Sequence, residues 1–592
     1  MQSWKNILSL FKTLKTKRKI QIIFLMFSSL LTGALEAISL ASFLPFLSVL
    51  INPDSLIKLQ LYKSLGIISK SSVENPSLFT LTIIFVLLSF AAALIRLLNL
   101  WYAARISGLI GSDVGVNVYK KCLYQPYLKQ LMGNSSMIIN AVTYQSPNVL
   151  GVFYSANFII TSSFIFLSLL FGLISLNFKL TLSILALISL SYFFISFSIR
   201  RLLIRNSKIV ENYGKKQIQT LQEGIGLIRD IILENSYNIF IEKFRFFDRE
   251  LNLRKSEIKF YSTFPRFLLE FVAITFLALV ALIMTKINNQ NTLLPVFGTY
   301  ALGAQKLISA AQQIYTNWST VEAKSADIKK ILSIVNSNSN YENKIYDSVP
   351  KYIFKKSIDL DKVRFNYPNA KKKAIFIPNL QIKRGEKIAI IGTTGSGKST
   401  LVDLIMGLIE PSEGNIFIDG ELLNHSSNTN HNKLISWRKA ISHVPQSIFL
   451  ADATFKENIA LGIPSHLVDF KRLKNAAKIA CIDNFIEKFP ETYNGCVGER
   501  GLRLSGGQKQ RIGLARAIYK QPKILILDEA TSALDNLTES KVMSSISSTF
   551  SDITIIMITH RHNSIRNFDR VLKIEDGELL LDDAPDKVLF NM

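Results

Sequence analysis

Long apolar runs fill the first half of this chain, and they limit its possible folds more than any other feature. Crossing a bilayer as a helix takes about 20 largely apolar residues, each rising 1.5 Å. Four runs satisfy this, at about 20–50, 78–110, 148–176 and 178–204. Two more candidates, at about 262–285 and 293–318, are diluted: the fifth by Arg266 and Glu270, the sixth by Gly298, Gly303, Gln305 and Lys306. A membrane helix carries such residues where they face a bundle interior or a wet cavity. Six spans are therefore expected over residues 1–335. The first run, with its basic lead, is far longer than the 7–15-residue core of a cleaved signal peptide, so it reads as a span.

Charge orients these spans. The 592 residues hold 69 Lys and Arg against 44 Asp and Glu. The excess lies mostly in the apolar half, where residues 1–335 carry 34 basic and 15 acidic side chains. Basic charge beside apolar runs suits an anionic lipid surface and not a nucleic-acid groove, so no nucleic-acid partner is expected. The first nineteen residues carry six Lys/Arg and the segment 200–258 twelve, against three at 51–77 and one at 286–292. By the positive-inside rule the N-terminus and the loops 111–147 and 200–258 face the cytoplasm. Six spans then return residues 336–592 to that side. A composition 48% apolar and 19% charged excludes disorder and coiled coil. The three cysteines (Cys122, Cys481, Cys496) form neither a disulfide framework nor a CxxC pair, and no histidine precedes His425.

Both cytoplasmic loops read as helical continuations of the spans, broken at Gln125–Tyr127 and at Glu223–Gly226. The segment 51–77 reads either as an amphipathic helix on the outer surface or as an ordinary loop. Residues 336–350 are a polar linker. From 351 to 592, short β-rich runs alternate with helical ones, the pattern of an α/β domain.

That domain carries the chemistry. A strand-like run ending at Ile391 leads into Gly392-Thr393-Thr394-Gly395-Ser396-Gly397-Lys398-Ser399-Thr400, and a helical run follows. This is a P-loop in the context it requires. Its glycines let backbone N–H groups face phosphates, Lys398 supplies a charge for the β/γ oxygens, and Ser399 is positioned to ligand Mg²⁺. Further on, the apolar Ile524–Leu527 ends in Asp528 and Glu529. Buried strands do not tolerate charge, so both acids belong at the strand end. Asp528 suits Mg²⁺, held directly or through an intervening group, and Glu529 suits the orientation or deprotonation of an attacking water.

Between these motifs lies Leu504-Ser505-Gly506-Gly507-Gln508. Here the chain resembles the ABC ATPase family, whose signature is LSGGQ. Other elements of that family stand in the same order. Tyr367 matches the aromatic that stacks on adenine, Gln446 in Val444-Pro445-Gln446 the Q-loop, Val497–Gly501 the X-loop of exporters, Ser532–Asp535 the D-loop and His560 the switch histidine. The resemblance implies a site for ATP and Mg²⁺. Lys398, Ser399, Gln446, Asp528, Glu529 and His560 are expected around the γ-phosphate and metal, with Ser399, Gln446 and Asp528 toward Mg²⁺. Ser505 and Gly507 are expected to reach the nucleotide of an opposing domain. With one such domain per chain, the economical reading is a homodimer with two equivalent sites.

Spans, long loops and ATPase domain together look like an ABC exporter half-transporter. This is a multidomain chain: an all-α six-helix transmembrane domain with long cytoplasmic extensions (1–335), a linker (336–350) and a C-terminal α/β P-loop ATPase domain (351–592). The loop breaks near Gln125–Tyr127 and Gln222–Arg229 are then the expected coupling turns. For the substrate, Glu36, Arg96, Arg105, Arg266, Glu270 and Lys306 are the candidate cavity charges, and Arg and Lys together suit a phosphate. Residues Glu36–Leu47 are similar to the first span of bacterial lipid-linked oligosaccharide flippases, which implies a lipid or lipid-linked glycan moved to the outer leaflet of the bacterial inner membrane. Multidrug, peptide or other export is the alternative. Peptidase-containing exporters are not expected, since no cysteine-protease segment precedes the first run. A nucleotide-gated channel has no need of a turnover base such as Glu529, and the spans exclude a soluble DNA-repair ABC protein.

Overall fold

The computed structural model describes residues 2–51, 78–133, 135–176, 178–285, 290–336, 349–368, 373–423, 428–532, 534–550, 552–561 and 565–590. Most of the segment 51–77, most of the linker and Ala533 lie outside them. The chain divides into two compact units. One joins Met1–Gln125 to Met132–Glu342, and the other joins Pro126–Leu131 to Asn343–Met592.

The described residues of the first unit form helices joined by short turns: α1 (Gln2–Thr13), α2 (Thr16–Ile51), α3 (Leu78–Leu123), α4 (Tyr127–Met132), α5 (Ser135–Asn140), a π-helical turn (Ala141–Gln145), α6 (Ser146–Leu176), α7 (Phe178–Gly226), α8 (Ile228–Leu233), α9 (Tyr237–Thr263), α10 (Pro265–Thr285), α11 (Gln290–Ala323) and α12 (Ser325–Val335). All but one residue of α4 belong to the second unit. Among the described residues four stretches are long and apolar enough to cross a membrane: Thr16–Leu50, Leu78–Leu123, Met137–Ser175 and Thr181–Gly226. The fifth and sixth candidates are the helices α10 and α11. Helix α10 begins at Pro265, close to the expected start at about 262, because a proline lacks an N–H and fits the first turn of a helix. At 1.5 Å per residue, the 46 residues of α3 and the 49 of α7 run to about 70 Å, more than twice a hydrocarbon core of about 30 Å.

This unit hides polar groups and shows apolar ones. Phe79, Phe171, Phe193 and Phe197 are exposed, as side chains facing lipid are. Inside, Ser29, Thr32 and Asn99 are buried, and Asn99 Nδ2 donates to Ser29 Oγ at 3.1 Å. Leu169, Leu173, Leu203, Leu269 and Leu307 are fully buried between the helices. The first expected loop break is present: helix α3 stops at Leu123 and α4 restarts at Tyr127. The second lies just past the expected Glu223–Gly226, which stay helical at the end of α7; the chain bends at Leu227 instead. Tyr127 and Leu128 pack on the core of the second unit.

In the second unit ten strands form one sheet among the described residues: β1 (Ser357–Phe365), β2 (Ile375–Lys383), β3 (Lys387–Ile391), β4 (Glu413–Ile418), β5 (Glu421–Leu422), β6 (Ile441–Val444), β7 (Ile524–Asp528), β8 (Thr554–Ile558), β9 (Arg570–Glu575) and β10 (Glu578–Asp583). Their order is β5-β4-β1-β2-β10-β9-β3-β8-β7-β6. The run β6-β7-β8-β3-β9 is parallel. Its apolar residues alternate between two cores, Leu525 and Leu527 on one face, Ile524 and Ile526 on the other. Burial on both faces explains why these strands read as unbroken apolar runs. Parallel strands all end on the same edge, so the residues after β3, β8, β7 and β6 are gathered there.

Candidate functional site

The P-loop leaves that edge from β3. Gly392 has φ +152°, and a Cβ there would stand 2.0 Å from the Ile574 carbonyl oxygen. Gly397, at φ +103°, precedes α13 (Lys398–Ile405), and a Cβ would meet the Ala374 carbonyl oxygen at 2.6 Å. Only glycine fits at either place. Thr393, Thr394 and Gly395 are exposed on the crest, Ser396 is buried beneath, and Ser399 is exposed at the helix start. The Lys398 ammonium donates to the carbonyls of Gly392 (2.9 Å) and Thr393 (2.7 Å). Burial pulls its pKa down, while Glu529 and Asp528 act to keep it charged. Thr400 is buried, its hydroxyl 3.2 Å from that of Tyr367, and the Tyr367 ring meets Phe365 edge-on at 5.0 Å.

Asp528 is the last residue of β7. Burial raises its pKa, the Glu529 charge adds to this, and Lys398 opposes it. Glu529 then takes a left-handed backbone conformation, φ +47°, which turns its side chain off the strand direction. Its N–H donates to the Ile558 carbonyl (3.0 Å), anchoring the turn on β8. The carboxylate lies between two groups from neighbouring strand ends. Gln446, just past β6, donates to Oε2 from Nε2 at 2.7 Å, and His560 Nε2, just past β8, lies 3.1 Å from Oε1. Four consecutive parallel strands thus deliver Gln446, Asp528–Glu529, His560 and the P-loop to one edge.

The LSGGQ segment is organised differently. Ser505 caps α14 (Gly506–Tyr519) through a reciprocal pair: Ser505 N–H to Gln508 Oε1 (2.8 Å) and Gln508 N–H to Ser505 Oγ (3.3 Å). Ser505 and Gly506 are exposed and Gly507 is half-buried. Among the described residues, the hydrogen bonds and ion pairs of Lys398, Gln446, Glu529 and His560 include none from Ser505–Gln508. A helix N-terminus with an exposed hydroxyl and glycines offers N–H groups outward, the arrangement that binds a phosphate brought from elsewhere.

Three contributors escape a motif reading. Gln510 Nε2 reaches Ser532 Oγ at 3.1 Å and the Glu529 carbonyl at 3.5 Å, so the helix after the signature braces the turn that holds Glu529. Arg561 donates to the carbonyls of Ser532 (2.5 Å) and Leu534 (3.0 Å) and to Glu539 (3.1 Å). Asp403 is pushed up to about 6 by burial and by the nearby Asp528. Gln510 and Arg561 do adjoin motifs in the sequence. Asp403 looks like any helix acid until its surroundings are seen.

In the first unit the candidate charges are largely paired. Glu36 on α2 is bonded to Arg96 of α3 (3.3 Å) and to Lys306 of α11 (2.8 Å). Two cations on one nearly buried carboxylate leave one net positive charge. Arg266 and Glu270 form an ion pair one turn apart (2.8 Å), and Arg105 lies over the Trp101 ring at 5.4 Å.

Residues 377–532 match the family model described as ABC transporter. The chain is 26% identical over 479 residues to an ATP-dependent lipid A-core flippase of Cupriavidus metallidurans, covering 80% of this chain and 79% of that protein. It is 28% identical over 590 residues to the heterocyst differentiation ATP-binding protein HepA of a Nostoc species, covering 98% and 93%. Among solved structures, a bacterial Atm1-family ABC exporter with ATP bound superposes with a TM-score of 0.77 at 21% identity, covering 97% of this chain and 96% of that one.

Proposed function

We propose that this chain, whose residues 377–532 match the ABC transporter family model and whose fold is that of an ABC exporter, is an integral membrane protein that couples ATP hydrolysis to transport: a homodimeric flippase that moves an anionic lipid, in its finer form a lipid-linked oligosaccharide, to the outer leaflet. The observation that carries the reading is the Glu529 carboxylate held between Gln446 and His560 at the edge that bears the P-loop. The membrane domain is taken as 1–335, the linker as 336–350 and the ATPase domain as 351–592. The proposed setting is the bacterial inner membrane, with the ATPase domain in the cytoplasm.

In this account P-loop amides and Lys398 hold the phosphates, and Tyr367 stacks on the adenine. The oxygen donors Ser399, Asp528 and Gln446 suit a hard cation such as Mg²⁺. When bound, the ion neutralises phosphate charge. Glu529 orients and deprotonates the attacking water, and His560 fixes the position of its carboxylate. Ser505 and Gly507 of one copy complete the site of the other. The lipid reading is supported by the likeness to a lipid A-core flippase across both units and by the net positive Glu36–Arg96–Lys306 group.

Reconstitution in liposomes with a labelled polyprenyl-pyrophosphate glycan tests it. ATP-dependent flipping by the wild type, absent from Glu529→Gln, is the expected result. Wild-type ATPase activity without any movement of the glycan would overturn the lipid-linked reading.

A further inference from the structure

A cavity of about 740 Å³ opens between α6, α7 and α11, within the first unit. Its wall is a row of rings: Tyr192 and Tyr315 stand 5.4 Å apart, and Tyr315 and Trp318 5.9 Å. The phenols are already committed. Tyr192 donates to Gln312 (2.9 Å) and Tyr315 to the Tyr261 carbonyl (3.2 Å), so the wall offers apolar faces in fixed positions. At one end stand Arg200 and Arg201, both exposed. Among the described residues Arg200 has one carboxylate partner, Glu322 at a long 3.7 Å, and Arg201 has none. A second cavity, of about 500 Å³, shares Arg200 and Trp318 and is bounded by Trp4, Lys5 and Leu8 of α1.

The furrow is therefore cationic at one end and aromatic along its length. A soluble anion has no use for the ring wall, and a neutral apolar molecule has none for two arginines. A phosphate ester with an attached acyl chain uses both, because a guanidinium binds phosphate through paired N–H donors and the chain lies on the rings. The arginines sit where α7 continues into the strongly basic 200–258 segment, the side assigned to the cytoplasm.

We propose that this furrow holds a resident anionic phospholipid of the cytoplasmic leaflet, its phosphate on Arg200 and Arg201 and one chain along Tyr192, Tyr315 and Trp318. The lipid ties α1, α7 and α11 together. The site is independent of what is transported, since it requires no turnover.

Photo-crosslinking of the full-length protein in phosphatidylcholine vesicles, without ATP, tests this. One sample contains a photoreactive phosphatidylglycerol and the other a photoreactive phosphatidylcholine. The anionic probe should label peptides spanning residues 189–204 and 311–318 about ten-fold more than the neutral one, the difference one charge-assisted hydrogen bond makes. Arg201→Ala should lower that labelling by a similar factor while ATP binding is retained, and Arg201→Lys should recover part of it. Equal labelling by the two probes in the wild type overturns the proposal without use of any variant. So does labelling that Arg201→Ala leaves unchanged, or an unlabelled furrow because a second copy of the chain covers it. Failure of the flipping assay leaves this result untouched, and the converse also holds.

Discussion

The side-chain amide of Gln446 donates to the Glu529 carboxylate at 2.7 Å, joining residues 83 positions apart in the sequence. The contact exists because β6 and β7 are parallel neighbours, so the residues just beyond each end at the same height. It gives the Q-loop a direct hold on the proposed base. Any rearrangement that draws Gln446 toward a metal must release Glu529, which links the state of the loop to that of the base.

Glu529→Gln should keep ATP binding within a few-fold of wild type and lower the turnover number by about 10²–10⁴, the range for a positioned general base. Steady-state hydrolysis beside a fluorescent-nucleotide titration measures both. Undiminished hydrolysis would remove Glu529 from the role.

The P-loop glycines should separate by what surrounds them. Gly392→Ala sets a Cβ against a backbone oxygen that has no freedom to move away, so nucleotide binding should be lost. Gly395 has φ +83° but open space around it, so its alanine variant meets only the left-handed backbone cost, about 1–2 kcal/mol, or roughly ten-fold in affinity. The reverse order would contradict the loop geometry.

Asp403 makes stability depend on pH. Its folded-state pKa, about 6, lies above the ordinary carboxylate value, so the folded protein binds a proton the unfolded chain releases. The resulting stability is full below about pH 4 and is lost as pH rises through about 6. Asp403→Asn should therefore raise hydrogen-exchange protection of Lys387–Ile391 and Ile524–Asp528 by about ten-fold at pH 7.5, with the gain gone near pH 4. A gain independent of pH would show that the carboxyl is not buried as described.

Glu36 is the counter-charge of Arg96 and Lys306. Glu36→Gln should lower the apparent melting temperature of the detergent-solubilised protein, and adding Lys306→Met should restore part of it. A coupling of about 0.5–3 kcal/mol in the double-mutant cycle is expected for groups in one network. Strict additivity would place them apart.

Much of this was legible in the sequence because the signals are local. The strand, P-loop and helix are contiguous, and so are Ile524–Glu529 and Leu504–Gln508. Helices long enough to pass well beyond a bilayer followed from turn-poor loops. What stayed hidden depends on contacts between distant segments or on a single backbone angle. Nothing in the sequence gives Glu529 a left-handed φ, aims Gln510 at its carbonyl, or buries Asp403 beside Asp528. Glu36, Arg96 and Lys306 looked like three separate cavity charges, and helix packing made them one group.

The central claim is that two copies of the chain close on one nucleotide, and disulfide trapping tests it most directly. In full-length protein with Cys122, Cys481 and Cys496 replaced, one tagged copy carries Thr394→Cys, a differently tagged copy carries Ser505→Cys, and both carry Glu529→Gln. With ATP present the account predicts a cross-linked species bearing both tags, absent when either cysteine is omitted and greatly reduced without nucleotide. Protein that still binds ATP yet yields no such species at any nucleotide concentration would contradict it.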